Sequence, residues 1–224
     1  LQIVAGHLHG RHSLEVQPQK IAAVEASWTR PAEGEGEPLR LFAIPDMVER
    51  RNHWEVAIPR LGSLYLRHDL SGTIAALDEF PPQDIPPVPV VFFAFRLMVG
   101  LGLLMLGQGI AGLVVRRRQR LYAARWLLRW GVLMAPAGFV AMLSGWVVTE
   151  VGRQPFTVYG LLRTADSLSS VARQQVVGST WVILGVYLVI FGVGLWVLLR
   201  ILRDPPHKDE PGPQPTLADE TGDS

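Results

Sequence analysis

Three long apolar stretches, residues 88–115, 130–150 and 176–200, constrain this chain more than anything else in it. A helix rises 1.5 Å per residue, so about 20 residues cross the roughly 30 Å hydrocarbon layer of a bilayer. Each stretch is long enough, and the first is interrupted only by Pro89, Arg96 and Gln108. Pro136 within the second predicts a kink. Glycines such as Gly100 and Gly102, or Gly192 and Gly194, suit the close approach of helices in lipid. The fold class read from this pattern is an all-α membrane protein with three transmembrane helices. The chain opens on Leu1-Gln2-Ile3-Val4-Ala5-Gly6, which reads as the tail of an apolar element rather than a signal peptide with a basic start. The expectation is therefore the C-terminal part of a larger helical bundle, with residues 1–9 closing a preceding transmembrane helix.

Composition agrees: 49% of residues are hydrophobic and only 18% charged. A net charge of +1 gives no global bias toward nucleic acid, and none is expected as a partner. The absence of cysteine excludes disulfides, thiolate ligands and a cysteine nucleophile. Nucleophile elbows, phosphate-binding glycine loops, dinucleotide fingerprints and zinc-protease motifs are missing, which argues against a soluble hydrolase or nucleotidase. His7, His9 and His12 are closely spaced, but no matched ligand stands at a metal-site spacing, so no metal site is read there.

Basic residues near helix ends set orientation. Arg116, Arg117, Arg118, Arg120, Arg125 and Arg129 make residues 116–129 a cytoplasmic basic loop, and Arg200 and Arg203 follow the third helix. Residues 201–224, rich in Pro, Asp, Glu and Gly, read as a disordered cytoplasmic tail. Residues 10–87 and 151–175 then face the opposite side. The first of these is polar and Pro-rich, with a helical piece at Lys20 to Trp28 and an amphipathic turn around Leu61 to Leu77. It reads as a loop covering a site at the membrane surface rather than as an independent domain.

Ionisable groups in or beside such stretches are functional candidates by default. Arg96 lies about eight residues into the first stretch, roughly 12 Å below its end, and needs an anionic partner such as Glu150 or a carboxylate-bearing cofactor. Trp146, Glu150 and Arg153 fall at roughly 0°, 40° and −20° around a helix, on one face. That face suits either an interfacial Trp beside a simple Glu–Arg pair, or a carboxylate that ligates a metal or relays protons beside a guanidinium that grips an anion. Met98 in an apolar helix is ordinarily packing material. Lys20 and Glu25, five residues apart, ordinarily form a solvated helix face and do not pair within a helix.

Three motifs taken together resemble subunit I of the cytochrome bd family of bacterial quinol oxidases. They are Gln17-Pro18-Gln19-Lys20-Ile21-Ala22-Ala23-Val24-Glu25, then Phe95-Arg96-Leu97-Met98-Val99-Gly100, then Gly145-Trp146-Val147-Val148-Thr149-Glu150-Val151-Gly152-Arg153-Gln154-Pro155. The resemblance covers nearly the whole chain and follows the branch with a short quinol loop. Phe156 stands where many members carry Trp.

The resemblance implies a haem-bearing subunit of a terminal quinol:oxygen oxidoreductase in the bacterial inner membrane. Quinol would be oxidised at the outer face by residues 10–87, and dioxygen reduced to water, contributing to the proton gradient. Implied cofactors are a low-spin haem b, a high-spin haem b, and haem d or a further haem b; implied partners are quinol, dioxygen, a second oxidase subunit and the bilayer. Carried over residue by residue, Lys20 and Glu25 serve quinol oxidation and Trp146 electron transfer. Met98 ligates the low-spin haem iron beside Arg96, Glu150 ligates or neighbours the high-spin haem iron, and Arg153 grips a propionate. The family's haem-ligating histidines and proton path belong to helices that this chain does not contain. The competing reading is a non-enzymatic polytopic membrane protein, a transporter subunit or sensor with an extracytoplasmic ligand-binding loop.

Overall fold

Long apolar runs give a mostly helical chain in the computed structural model, which describes residues 2–32, 34–118, 124–167 and 171–203. Three helical spans are long and apolar enough to cross a membrane: Val88–Arg117, Arg125–Gly152 and Arg173–Arg203, with mean hydropathies of 2.2, 1.8 and 2.7. The chain thus has the fold class expected of it. The spans run further into their basic flanks than the apolar pattern reaches. Arg116 and Arg117 sit in a last turn, where cations complement the helix dipole, and Arg125 and Arg129 are helical rather than in a loop. The remainder of the basic loop, residues 119–123, and the tail from 204 onward lie outside the described residues.

The chain divides into two units, residues 1–168 and 169–224. The first opens with α1 (Gln2–Val16), which continues well past residue 9, and α2 (Pro18–Glu25). Pro18 starts α2 because its fixed φ and missing N–H suit a first helical turn. Ala26 ends it in the left-handed region, φ 49, with its N–H turned back to the carbonyls of Ala22 and Ala23. A hairpin follows, β1 (Leu39–Asp46) antiparallel to β2 (Arg51–Ile58), and then α3 (Leu61–Arg67). Two short 3-10 turns lead into α4 (Val88–Arg117). After it come α5 (Arg125–Met134) and α6 (Ala137–Gly152), broken at Ala135 and Pro136 because proline has no N–H for the helical ladder. A small ribbon, β3 (Phe156–Val158) with β4 (Leu162–Arg163), is tied to the N-terminal segment by Arg163 donating to Asp84 at 2.5 Å. The second unit is α7 (Arg173–Arg203).

Residues 17–87 are more than a connecting loop. Ala22, Ala23, Val24, Ala26 and Trp28 pack with Ala43, Leu77, Val148 and the first turns of α4. Val88, Val91 and Phe92 are wholly buried. At about 1.5–3 kcal/mol per buried large apolar side chain, this contact anchors a folded layer on the end of α4. One face of the first two turns of α4 is therefore covered by protein, while Val90 and Phe93 stay exposed, and Arg96 follows one turn further on. The hairpin escapes sequence reading because its turn has no glycine. Asp46 Oδ1 accepts the N–H groups of Val48 at 2.7 Å and Glu49 at 3.0 Å instead, and Arg50 takes a positive φ of 51.

α4 and α6 run antiparallel: Val91 lies beside Gly152, Met98 beside Gly145, and Gln108 on α4 beside Gly131 of α5. A Cβ at position 145 would stand 2.9 Å from Met98 Sδ, so that flexible side chain would have to move to admit it.

Candidate functional site

Residues of α2 point two ways, because positions 20 and 25 are five apart and diverge by about 140° around a helix. Glu25 is fully buried, accepting from Tyr65 Oη at 2.5 Å and from Arg96 Nη2 at 2.9 Å. Arg96 spends its remaining donors on backbone. Nε and Nη2 reach the Arg40 carbonyl at 3.0 and 2.7 Å, and Nη1 donates to the Val24 carbonyl. The guanidinium also lies 3.8 Å from the centre of the Phe92 ring. Arg40, itself buried, pairs with Glu37 at 2.7 Å and Glu55 at 3.1 Å and donates to the Glu25 carbonyl at 3.3 Å. Burial first, and the Glu25 carboxylate second, push the Tyr65 hydroxyl far above its ordinary range, so it stays a donor.

The partner of Arg96 is thus Glu25, not Glu150. Glu150 pairs with Arg153 one turn along α6, and Arg153 Nη1 donates to the Thr157 carbonyl at 3.3 Å. Arg153 Nε is buried without a hydrogen-bond partner among the described residues. Lys20 comes over this end of α6, its Cγ 3.2 Å from where a Cβ on Gly152 would stand. Its ammonium is pushed below the ordinary lysine range by burial, then by the Arg153 cation, with Glu150 opposing. Trp146 stands apart: it is 64% exposed and has no ring contact or hydrogen bond among the described residues.

A cavity of about 370 Å³ opens between α1, α2, α3, α4 and α6. Its walls are Gly6, His7, His9, Gly10, Arg11 and Ser13 from α1; Lys20, Ile21 and Val24 from α2; Tyr65 and Leu66 from α3; and Phe95, Met98, Gly145, Val148 and Thr149 from the two spans. Of the seven residues singled out by sequence, Lys20 and Met98 share this cavity, Glu150 and Arg153 lie at its Lys20 end, and Glu25 and Arg96 form the buried lock beside it. Tyr65, Arg40 and Glu37 were missed, because each acquires its role only through a long-range fold. A lone Tyr on a short amphipathic helix carries no sequence signal for a carboxylate 40 residues upstream.

Spans of this kind, capped by a folded polar layer over a cavity with a thioether in its wall, define a class, the helical membrane proteins. The chain belongs to the family described as cytochrome bd terminal oxidase subunit I, whose model matches residues 1–206. It is 34% identical over 177 residues to cytochrome bd ubiquinol oxidase subunit 1 of Bacillus subtilis (strain 168), covering 74% of this chain and 37% of that protein. It is 27% identical over 207 residues to the putative cytochrome bd menaquinol oxidase subunit I of the same organism, covering 92% and 45%. Cytochrome bd-II ubiquinol oxidase subunit 1 of Escherichia coli (strain K12) is 24% identical over 255 residues, covering 84% and 49%. The solved bd oxidase from Geobacillus thermodenitrificans matches with a TM-score of 0.71 at 25% identity, over 90% of this chain and 46% of that one. The chain thus spans less than half the length of these relatives.

Proposed function

We propose that this chain supplies the quinol-oxidising side and part of the haem-binding wall of a terminal quinol:oxygen oxidoreductase, working with a second subunit in the bacterial inner membrane. The observation that carries this reading is that Lys20, from the N-terminal layer, and Met98, from a membrane span, line one cavity. The relatives' names, which include ubiquinol and menaquinol oxidases, support it.

The residues present fit a haem on one side. Met98 presents a thioether at the cavity wall, opposite the bare backbone of Gly145. Gly6 and Gly10 add further side-chain-free surface, and Phe95 and Val148 make the wall apolar, as suits the face of a macrocycle. Arg153, with its buried unpartnered Nε, fits a propionate, and Glu150 beside it would ligate or neighbour a high-spin haem b. Bound haems, two of type b and a third of type d or b, supply one-electron acceptors and the site at which dioxygen becomes water. Quinol loses two electrons and two protons in this reaction. Lys20 orients the quinol oxygen by donating to it, and the Glu25–Arg96 lock holds the quinol loop at a fixed height over Met98, making Arg96 a positioning residue. Trp146 stands on the span that carries Glu150 and serves electron transfer from its exposed face.

The basic residues support an orientation with 116–129 and the tail in the cytoplasm, and 10–87 with 151–175 outside. Protons from quinol then leave outside while those consumed in water formation come from within, which conserves energy as a proton gradient. The test is absorption spectroscopy of membranes carrying the full-length subunit with its partner. The wild type is expected to show a low-spin haem b signal, and Met98→Leu to lose it. An unchanged spectrum in the variant would remove Met98 from the iron.

A further inference from the structure

Two imidazoles meet at the rim of the cavity. His7 of α1 lines it, and His7 Nε2 lies 3.1 Å from Nε2 of His68, with the near-parallel rings 5.0 Å apart between centroids and 20° between planes. His7 is partly buried and His68 is exposed, so the pair runs from the cavity wall to the surface. An Nε2-to-Nε2 hydrogen bond needs one donor and one acceptor, so the two rings share a single bridging proton. No hydrogen bond is recorded to the Nδ1 atom of either ring among the described residues.

His68 is held in place by the fold. It caps α3 in the left-handed region, φ 58, with its N–H on the Leu64 carbonyl at 3.1 Å. Tyr65 stands three residues earlier on the same helix, in the cavity wall. The other ionisable groups in or beside the cavity are poorly placed to take a proton outward. Tyr65 donates to Glu25, Glu25 is sealed between two donors, and Arg11 is a permanent cation. Lys20 is a donor while charged, and His9 has no hydrogen-bond partner among the described residues through which to pass a proton on. Beside His68, Arg67 and Asp69 flank it in sequence, and the Asp69 carboxylate is turned to Ser71.

We propose that His7 and His68 form the relay by which a proton of the bound quinol leaves the cavity; this rests on the quinol-oxidising reading above. The quinol O–H bond breaks and an N–H bond forms at His7 Nδ1. The proton on His7 Nε2 moves to His68 Nε2, and His68 Nδ1–H is released to water. The electron left on the quinol oxygen would pass to a bound ferric haem, the oxidant of the proposed oxidase reaction, and the rings return to their starting tautomers before the next transfer. His7 is the catalytic base and His68 acts through it.

The experiment compares the full-length oxidase with His7→Gln and His68→Gln, reading quinol turnover in water and deuterium oxide, rescue by free imidazole, haem absorption, and equilibrium binding of a redox-inert quinone analogue. Each variant is expected to lose about a hundredfold in turnover, the low end of general-base effects. Its solvent isotope effect should rise and added imidazole should restore the rate, with analogue binding and haem spectrum unchanged. Wild-type turnover in both variants, or a loss that imidazole does not restore, overturns the relay while leaving the quinol site standing. A wild-type oxidase that fails to bind the analogue overturns the quinol site and the relay together.

Discussion

Replacing Gly145 with alanine puts the smallest possible perturbation against the proposed iron ligand. The added Cβ would stand 2.9 Å from Met98 Sδ. Ordinary non-bonded contact lies at about 3.5–4.0 Å, so the sulphur must recede by about 0.6 Å or more. Methionine has three rotatable side-chain bonds, so the sulphur yields readily and the packing cost stays near the bottom of the ~1–3 kcal/mol range for overpacking. A metal–ligand distance tolerates only about 0.2 Å. The fold should therefore survive while the ligand is displaced. Gly145→Ala is expected to express and unfold thermally much like wild type, yet to lose or strongly shift the low-spin haem b absorption, as Met98→Leu would. A Gly145→Ala oxidase with an unaltered haem b spectrum and redox midpoint would refute the placement of the Met98 sulphur at the iron.

Glu25→Ala leaves the Arg96 cation without its carboxylate in a buried setting, which costs about 3–5 kcal/mol, so the midpoint of thermal unfolding should fall sharply; Glu25→Gln, which keeps an acceptor for Tyr65, should fall less. Lys20 gives a pH signature. Its folded value lies below the ordinary lysine value of 10.5, so folding is opposed while the group is charged, and its contribution improves as pH rises through the folded value toward 10.5. Lys20→Met should flatten that rise in a thermal-shift series against pH, and should also slow quinol turnover while sparing the haem spectrum. Topology is checked by labelling introduced cysteines with an impermeant reagent in intact cells: Glu35→Cys is expected to react from outside and Arg118→Cys only after permeabilisation, and the reverse pattern would invert the orientation.

The spans were legible because hydrophobic length is a one-dimensional signal, and Pro136 announced its own break. The N-terminal layer was not, because what folds it is not periodic. Its hairpin turns on an Asp46 side chain and a positive-φ Arg50 rather than on glycine, and its core is built from small alanines of α2 that read as neutral in sequence. Spacing could flag Arg96 as a charge in need of an anion, but offered Glu150 or a cofactor, since nothing local distinguishes those from a carboxylate 71 residues upstream. The helical-wheel face of Trp146, Glu150 and Arg153 delivered one contact, the Glu–Arg pair, and left the indole exposed. His7 stood out only as one of three nearby histidines; its partner, 61 residues on, is brought to it by α3.

Arg96 also dictates an order of assembly. The groups it binds, Val24, Glu25 and Arg40, are made first, 72, 71 and 56 residues ahead of it. Until α4 emerges and inserts, Glu25 has no cation and the strand carbonyl at Arg40 has no donor, so the layer waits unlatched on one side of the membrane. Contacts this far apart in sequence form slowly and together. Closing the latch encloses the whole of residues 24–96 in a single ring, and the layer is finished only when the helix that follows it in the chain supplies the last piece.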